Sequence, residues 1–133
     1  MGGLAGARRL KVYFDGGCRP NPGRIEVAVV VRGVTHLFDD LGSGTSEDAE
    51  WLALRTALRI AQASGESEFD LLGDSAHVIA QATDAAKGRG QAALDHRAAF
   101  GEEAALAPPR RIRWIQRSQN LAGIALARRR GLP

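Results

Sequence analysis

Three carboxylates stand at places in the sequence where a fold could bring them together. Asp15 follows the short apolar run LKVYF, and Asp74 follows a second run, FDLLG. Glu50 lies near the start of an amphipathic segment between them. Carboxylate oxygens without histidine or cysteine beside them suit Mg²⁺ or Mn²⁺. A cluster of this kind is typical of metal-assisted phosphoryl transfer, in which divalent cations stabilise the attacking and leaving oxygens.

Each of the three also has an ordinary structural explanation. Asp15 could be a turn aspartate before two glycines, and Asp74 could be the N-cap of the helix after it. Glu50 is harder to explain in this way, because it lies on the apolar stripe of its helix, one turn before Leu54. A carboxylate that faces a sheet is strongly destabilising unless it is paired or bound to a cation.

The hydrophobic pattern predicts three strands followed by alternating helices and strands. The predicted strands are Leu10 to Phe14, Ile25 to Val31, Val34 to Asp40, Phe69 to Leu72 and Arg110 to Ile115. The predicted helices run from Thr45 or Ser46 to about Ser64, from Ser75 to about Thr83, from Gln91 to Ala107, and from a cap at Ser118 to near Arg130. The turn-rich run DGGCRPNPG is expected to end the first strand, and Gly42 to Thr45 to be a loop. This order predicts an α/β protein with a mixed sheet and helices on its faces.

The arrangement of the strands decides whether the carboxylates can meet. If the first and fourth strands are parallel neighbours, Asp15 and Asp74 emerge at the same edge of the sheet, where ligands bind in open α/β folds. Glu50 lies in the first turn of the first helix, so its side chain can reach that edge as well. Three carboxylates at one edge repel each other unless a divalent cation lies between them.

Length and cysteine content limit the class of protein. The chain has 133 residues and one cysteine, so we expect a single domain, residues 1–133 with a core of about 10–130, and no internal disulfide. It has no apolar run long enough to span a bilayer and no recognisable secretory signal, which predicts a cytoplasmic protein without a membrane partner. It also lacks dinucleotide- and nucleotide-binding fingerprints, so no small-molecule cofactor is expected.

Positive charge is concentrated at the C-terminal end of the chain. No acidic residue follows Glu103, whereas seven arginines do. This asymmetry favours a polyanionic partner such as nucleic acid. Three of these arginines, Arg128 to Arg130, could track a phosphate backbone, contact a protein partner or simply keep the protein soluble.

Four runs of residues occur in an order and spacing that resemble a known family. They are YFDGGCRPNPG (13–23), TSEDAEWLALRTAL (45–58), LLGDSAHVI (71–79) and RWIQRSQNLAGIALAR (113–128). Over about residues 10–130 the chain resembles the type 1 ribonuclease H domain family, in the compact branch that lacks the basic protrusion between helices. The resemblance implies the ribonuclease H-like fold, a five-stranded mixed sheet in the order 3-2-1-4-5 with helices on both faces. It also implies Mg²⁺-dependent hydrolysis of the RNA strand of RNA–DNA hybrids, with Mn²⁺ as a substitute metal.

The resemblance assigns the chemistry to the three carboxylates. Asp15 matches the first catalytic aspartate, which binds both metal ions. Glu50 matches the helix glutamate that also lies near the 2′-hydroxyl next to the scissile phosphate. Asp74 matches the catalytic aspartate after the fourth strand.

The resemblance also implies contacts with nucleic acid. Asn21 and Thr45 match positions that contact the nucleic-acid backbone, and Cys18 falls near the hybrid groove. Ser46 and Glu47 stand where the family often has two asparagines that read the minor groove. The predicted nucleic-acid-binding residues are Asn21, Thr45, Cys18 and Arg117.

The last of the four runs departs from the family pattern. That pattern is N-x-x-A-D-x-L-A, and its aspartate completes the metal site. Here the run from Asn120 to Ala127 has Ile124 at the aspartate position. We therefore expect a degenerate fourth site and weaker binding of a second metal ion. Three hypotheses stay open: a working but weakened ribonuclease H, a non-catalytic module that binds hybrid or duplex nucleic acid, and a structural or protein-interaction descendant.

Overall fold

The computed structural model describes residues 9–131, so residues 1–8 and 132–133 of the predicted domain lie outside the described part. The strands are β1 (Leu10–Cys18), β2 (Gly23–Val31), β3 (Val34–Phe38), β4 (Ser43–Gly44), β5 (Phe69–Gly73) and β6 (Arg111–Trp114). The helices are α1 (Ser46–Ala63), α2 (Ala76–Ala82), α3 (Gln91–Leu106) and α4 (Leu121–Arg129), and a 3₁₀ turn (Arg117–Gln119) precedes α4.

The strands form a mixed sheet in the order β3-β2-β1-β5-β6, and the two-residue strand β4 pairs with the start of β2. β1 is antiparallel to β2 and parallel to β5, and β5 is parallel to β6. The predicted order 3-2-1-4-5, which does not count β4, is therefore confirmed. The central position of β1 brings its carboxyl-terminal part beside the end of β5.

The main core lies between the sheet and α1. Alternate residues of β1, namely Leu10, Val12 and Phe14, point to this side because side chains alternate across a strand. α1 presents apolar residues three and four positions apart, among them the buried Leu54 and Leu58. Each fully buried aliphatic side chain of this kind contributes about 1.5–3 kcal/mol, so the packing holds α1 firmly over β1.

The opposite face of the sheet carries α4. Ala122 and Leu126 of α4 pack against Ala28 and Val30 of β2. Helices therefore lie on both faces of the sheet, as predicted. Within residues 9–131, no helix combines the length and apolar character needed to cross a membrane.

β1 is longer than the sequence predicts. The glycine-rich run after Phe14 does not end the strand, which continues to Cys18. The parallel pairing with β5 stops at Tyr13, but the antiparallel pairing with β2 continues as far as Cys18 opposite Ile25. Asp15 consequently lies inside a strand, and the explanation of Asp15 as a turn residue is wrong.

The start of α1 is fixed by a reciprocal cap. Thr45 is the N-cap, as predicted: its hydroxyl accepts the N–H of Asp48, and the Asp48 carboxylate accepts the N–H of Thr45. The segment just before it is not a plain loop, since β4 pairs there with the first residues of β2. This pairing was not predictable from the sequence, because two residues are too few to show a strand pattern.

Gly16 sets the distance between β1 and α1, and its replacement tests the packing. A methyl group at Gly16 would collide with the backbone carbonyl of Ala49 on α1. Because backbone atoms cannot rotate away, we expect Gly16→Ala to lower the free energy of unfolding by roughly 2–3 kcal/mol, as measured by urea unfolding. The control is Gly101→Ala in α3, where the new methyl group meets only the guanidinium tip of Arg97. Helix propensity predicts a gain of up to about 1 kcal/mol there, and equal losses in the two variants would contradict the packing argument.

Candidate metal centre and nucleic-acid interface

The parallel pair of β1 and β5 brings two of the predicted carboxylates to one edge of the sheet. The last paired residues are Tyr13 and Leu72. Asp15 and Asp74 each lie two residues further along, so the two carboxylates leave the sheet on the same side. With Glu50 they form a cluster in which one carboxylate oxygen of each residue lies within 4.8 Å of the other two. The structure thus brings the three residues together, and their catalytic role stays a prediction.

Glu50 reaches the cluster because α1 crosses closely over β1. The backbone N–H of Gly16 donates a hydrogen bond to Glu50 Oε1 at 3.0 Å. A larger residue in place of Gly16 would push α1 away and lengthen the hydrogen bond to Glu50. This role of Gly16 was not predictable from the sequence, because its N–H meets Glu50 only when α1 is packed on β1.

Asn120 orients Asp74 and also begins α4. Its Nδ2 donates to Asp74 Oδ2 at 2.8 Å and to the carbonyl of Phe14 at 3.0 Å. Its Oδ1 accepts the N–H of Ala122, so Asn120 is the N-cap of α4. The predicted cap at Ser118 is wrong, because Ser118 lies in the preceding 3₁₀ turn. An asparagine directly before an apolar helical run was the sequence signal for the true cap.

Asp74 does not cap the helix that follows it. Ser75 caps α2, and its hydroxyl accepts the N–H of Val78 at 3.4 Å. The Asp74 carboxylate contacts Asn120 instead, and its Oδ1 lies 3.8 Å from Nη2 of Arg117. The side chain of Arg117 is 86% exposed and that of Asp74 only 5%. Arg117, a predicted nucleic-acid contact, therefore reaches the carboxylate cluster from the solvent.

Burial and mutual repulsion favour the protonated forms of two of the carboxylates in the absence of a cation. Burial, together with the negative charge of Asp74, raises the pKa of Asp15 to about 7. Burial, followed by the charges of Asp15 and Asp74, raises the pKa of Glu50 to about 9. The positive charge of Arg117 acts on both pKa values in the opposite direction.

The cluster fits a divalent cation with hard oxygen ligands. Its three members are all carboxylates, and Mg²⁺ binds oxygen at about 2.0–2.1 Å. The oxygens around such an ion lie roughly 3–4 Å apart, so the observed spacing needs only a small contraction. A cation would also remove the repulsion that raises the two pKa values. Asp15, Glu50 and Asp74 are the residues that would hold it.

Three of the predicted nucleic-acid contacts form one patch beside the start of α1. Asn21 Oδ1 accepts the N–H of Ser46 at 3.1 Å, and both Asn21 and Thr45 are exposed. Cys18 is buried beneath them, with its Sγ 3.6 Å from Asn21 Oδ1 and 3.5 Å from the carbonyl oxygen of Gly44. Because the thiol is buried, Cys18 supports the two loops from beneath and does not present its sulfur at the surface.

A cavity of about 320 Å³ lies between the carboxylate cluster and α4. Its lining residues are Asp15, Arg117, Ser118, Gly123, Ile124, Ala127 and Arg128. Ile124, which the resemblance places at a family aspartate, is 37% exposed and faces this cavity. Its side chain carries no oxygen, so the α4 wall of the cavity adds no carboxylate to the cluster.

The arginines of the C-terminal stretch have different surroundings. Arg129 and Arg130 both bind Glu26. Arg110 makes two hydrogen bonds to the buried carboxylate of Asp70. These ion pairs join elements of the fold, so part of the basic character seen in the sequence is neutralised. Within residues 9–131, the arginines that line the cavity are Arg117 and Arg128.

The fold and the site together define a class of protein. Three carboxylates meet at one edge of a mixed sheet: one lies in β1, one directly follows β5 and one lies near the start of α1. Exposed basic side chains lie beside them. This arrangement is suited to divalent-cation-assisted chemistry on a phosphate ester.

The family model described as RNase H matches residues 7–114. Because this match covers most of the chain, the protein belongs to the ribonuclease H family, and the resemblance seen in the sequence is confirmed. The match ends before α4, so it does not extend to Ile124.

Known relatives agree with this membership. Ribonuclease HI of Halobacterium salinarum (strain ATCC 700922 / JCM 11081 / NRC-1) is 40% identical over 82 residues, which are 58% of this chain and 41% of that protein. The chain thus spans about two fifths of the length of this curated relative. The crystal structure of RNase H1 from the halophilic archaeon Halobacterium salinarum NRC-1 is similar with a TM-score of 0.81 and 29% identity, over 90% of this chain and 94% of that chain. LC11-RNase H1 in complex with an RNA/DNA hybrid is similar with a TM-score of 0.76 and 25% identity, over 89% of this chain and 93% of that chain.

Asp15→Asn tests the repulsion within the cluster. A carboxyl group whose pKa is raised by folding stabilises the fold at pH values below its ordinary pKa, and this contribution is lost as the pH rises through the raised pKa. In EDTA we therefore expect the wild type to lose stability between about pH 4 and pH 9, and Asp15→Asn to be more stable than the wild type by roughly 1–3 kcal/mol at pH 8.

Thermal unfolding in EDTA and in excess Mg²⁺ measures this difference. Mg²⁺ should remove the advantage of Asp15→Asn, because the cation relieves the same repulsion in the wild type. Asp40→Asn, at an exposed carboxylate outside the cluster, is the matched control. An Asp15→Asn variant that is no more stable than the wild type in EDTA at pH 8 would show that the repulsion does not destabilise the fold.

Cation binding should release protons and become tighter as the pH rises. The cation needs ionised carboxylates, whereas Asp15 and Glu50 are partly or largely protonated at pH 7 because their pKa values are raised to about 7 and about 9. We expect between about one and two protons to be released per bound ion at pH 7. Calorimetry of Mn²⁺ binding in two buffers with different ionisation enthalpies measures this number. An affinity that does not change between pH 6 and pH 9 would place the cation elsewhere.

Proposed function

We propose that the protein is a divalent-cation-dependent endonuclease that hydrolyses the RNA strand of RNA–DNA hybrids. The observation that carries this proposal is the cluster of Asp15, Glu50 and Asp74 within a member of the ribonuclease H family. The relatives support it, because one similar protein is named Ribonuclease HI and another was solved with an RNA/DNA hybrid.

The chain's part in the reaction is to hold the carboxylates and the scissile phosphate in place. Gly16 orients Glu50 through its N–H, and Asn120 orients Asp74 through its amide. A bound Mg²⁺ or Mn²⁺ would stabilise the negative charge that develops on the phosphate. Hydrolysis joins a water oxygen to phosphorus and breaks one phosphorus–oxygen bond of the RNA backbone. Preorganised ligands favour this step because they do not have to move as the charge develops.

The proposed path of the hybrid crosses the start of α1. The exposed side chains of Asn21 and Thr45 lie there, on loops that are held together by the bond from the N–H of Ser46 to Asn21. Glu47 would repel the phosphates, but its Oε1 lies 3.2 Å from Nε2 of His77. Recognition by groove shape and 2′-hydroxyls suits such a shallow polar surface.

We expect this activity to be weak in Mg²⁺. Ile124 faces the cavity beside Asp15 without an oxygen, so the site lacks the fourth carboxylate that the resemblance implies. We expect the loss of one charged ligand to raise the activation barrier by a few kcal/mol. Since each 1.4 kcal/mol changes a rate about tenfold, the rate of cleavage should fall by about 10² to 10³. Mn²⁺ has looser geometric demands and should restore part of the rate.

A second candidate function is a module that binds hybrid or duplex nucleic acid without cleaving it. The apolar cavity wall at Ile124 favours this candidate, because it removes a metal ligand and leaves Arg117 and Arg128 beside the cluster. The three retained carboxylates argue against a binding module, because they destabilise a fold that does not use them.

Cleavage of a labelled hybrid by four proteins distinguishes the two functions. These are the wild type, Ile124→Asp, Ile124→Asn and Asp15→Asn, each in Mg²⁺ and in Mn²⁺. We expect slow cleavage by the wild type and a rate about 10² to 10³ higher for Ile124→Asp. Ile124→Asn has nearly the shape of the aspartate variant without its charge, so it should stay near the wild type. Asp15→Asn should be inactive, which controls for contaminating nucleases.

The outcomes separate the candidates. Cleavage by the wild type and not by Asp15→Asn supports the enzyme. If only Ile124→Asp cleaves while the wild type binds hybrid, the natural protein is a binding module. If none of the four cleaves or binds hybrid, both proposed functions are wrong.

A further inference from the structure

The carboxylates of the cluster are arranged around a single point. One oxygen from each of Asp15, Glu50 and Asp74 lies within 4.8 Å of the other two, which suits ligands around one small cation. Two of these carboxylates also accept hydrogen bonds from the chain, Glu50 from Gly16 and Asp74 from Asn120. Glu50 Oε1 and Asp74 Oδ2 are therefore already engaged by donors of the chain.

The α4 side of the cluster adds no carboxylate ligand. Asp15 is the one acidic residue that lines the cavity there, and the wall contributed by α4 is apolar at Ile124 and Ala127. Because no Asp or Glu follows Glu103 in the sequence, no other residue of α4 can supply one. A second cation in this cavity would have Asp15 as its only carboxylate ligand and would face the guanidinium groups of Arg117 and Arg128. Repulsion between like charges disfavours that position.

Arg117 already supplies positive charge on this side. Its Nη2 lies 3.8 Å from Asp74 Oδ1, and its side chain lines the same cavity as Asp15. Three ionised carboxylates carry three negative charges, and one divalent cation together with one guanidinium group balances them. In the absence of substrate, a single cation and Arg117 thus balance the charge of the three carboxylates.

We propose that the protein binds one divalent cation between Asp15, Glu50 and Asp74, and that Arg117 contacts the scissile phosphate from the α4 side in place of a second cation. The role of Arg117 rests on the proposed function, whereas the number of cations can be measured without any cleavage. A guanidinium group suits this role because its planar donors match phosphate oxygens and its charge persists at every working pH. Its exposure leaves it free to move between Asp74 and a bound phosphate.

Titration with Mn²⁺, followed by electron paramagnetic resonance, counts the cations. The sample contains the protein and a hybrid whose RNA strand carries 2′-fluoro groups in place of its 2′-hydroxyls, so that hydrolysis does not interfere. We expect one Mn²⁺ per chain and a single-ion spectrum for the wild type and for Ile124→Asn. Ile124→Asp, which adds a carboxylate to the cavity wall, should bind two ions and give an exchange-coupled spectrum. Two coupled ions in the wild type would overturn the proposal.

Kinetics of Arg117→Gln test the second half of the proposal. In the wild-type background we expect this change to lower kcat for hybrid cleavage at least about tenfold, because the positive charge that contacts the phosphate is lost. In the Ile124→Asp background the loss should be less than about threefold, because a second cation now supplies that charge. Arg113→Gln is the matched control, since Arg113 is exposed on β6 and does not line the cavity.

The results also separate this inference from the proposed function. If the wild type cleaves hybrid but binds two ions, the function stands and the single-cation site is wrong. If no variant cleaves but the wild type binds one ion and Ile124→Asp two, the cation count stands without the enzyme. An equal loss of kcat on Arg117→Gln in both backgrounds would overturn the role of Arg117.

Discussion

Repulsion among Asp15 in β1, Asp74 after β5 and Glu50 on α1 is the constraint on which this part of the molecule depends. The sheet holds Asp15 and Asp74 on one side of two parallel strands, and the packed core under α1 holds Glu50 against them. Gly16 and Asn120 donate hydrogen bonds that hold Glu50 and Asp74 in place. Burial and neighbouring charge raise the pKa of Asp15 to about 7 and that of Glu50 to about 9. A rigid fold thus keeps the carboxylates ready for a cation at the expense of its own stability.

The C-terminal part of the chain determines how that negative charge is balanced. α4 packs on the sheet through Ala122 and Leu126, and this packing turns Ile124 towards the cavity beside Asp15. The turn before α4 brings Arg117 to the same place. The local balance therefore shifts from carboxylates towards guanidinium groups, which is the basis of the phosphate contact proposed for Arg117.

Local chemistry explains which elements were predicted correctly. The β-branched run of β2 and the capped, amphipathic pattern of α1 can each be recognised from a short stretch of sequence. The end of β1 and the cap of α4 were predicted wrongly. Pairing with β2 extends β1 through glycines that usually mark a turn, and a 3₁₀ turn moves the start of α4 from Ser118 to Asn120. The first error arises because pairing with another strand overrides local preference. The second error is local, since Asn120 directly before the apolar run is itself a preferred cap.

The sequence by itself determined most elements along the chain, the family resemblance and the three candidate carboxylates, because hydrophobic periodicity and motif spacing are local properties. The order of the strands in the sheet was available only as what the resemblance implies. Only the tertiary structure decided which partners these residues have. Gly16 donates to Glu50 across 34 positions of the chain, and Asn120 donates to Asp74 across 46. Likewise, Arg110 and Arg130 bind buried or partly buried acids, while Arg117 remains exposed beside the cluster. These differences follow from distances between segments far apart in the chain, which no local pattern of residues encodes.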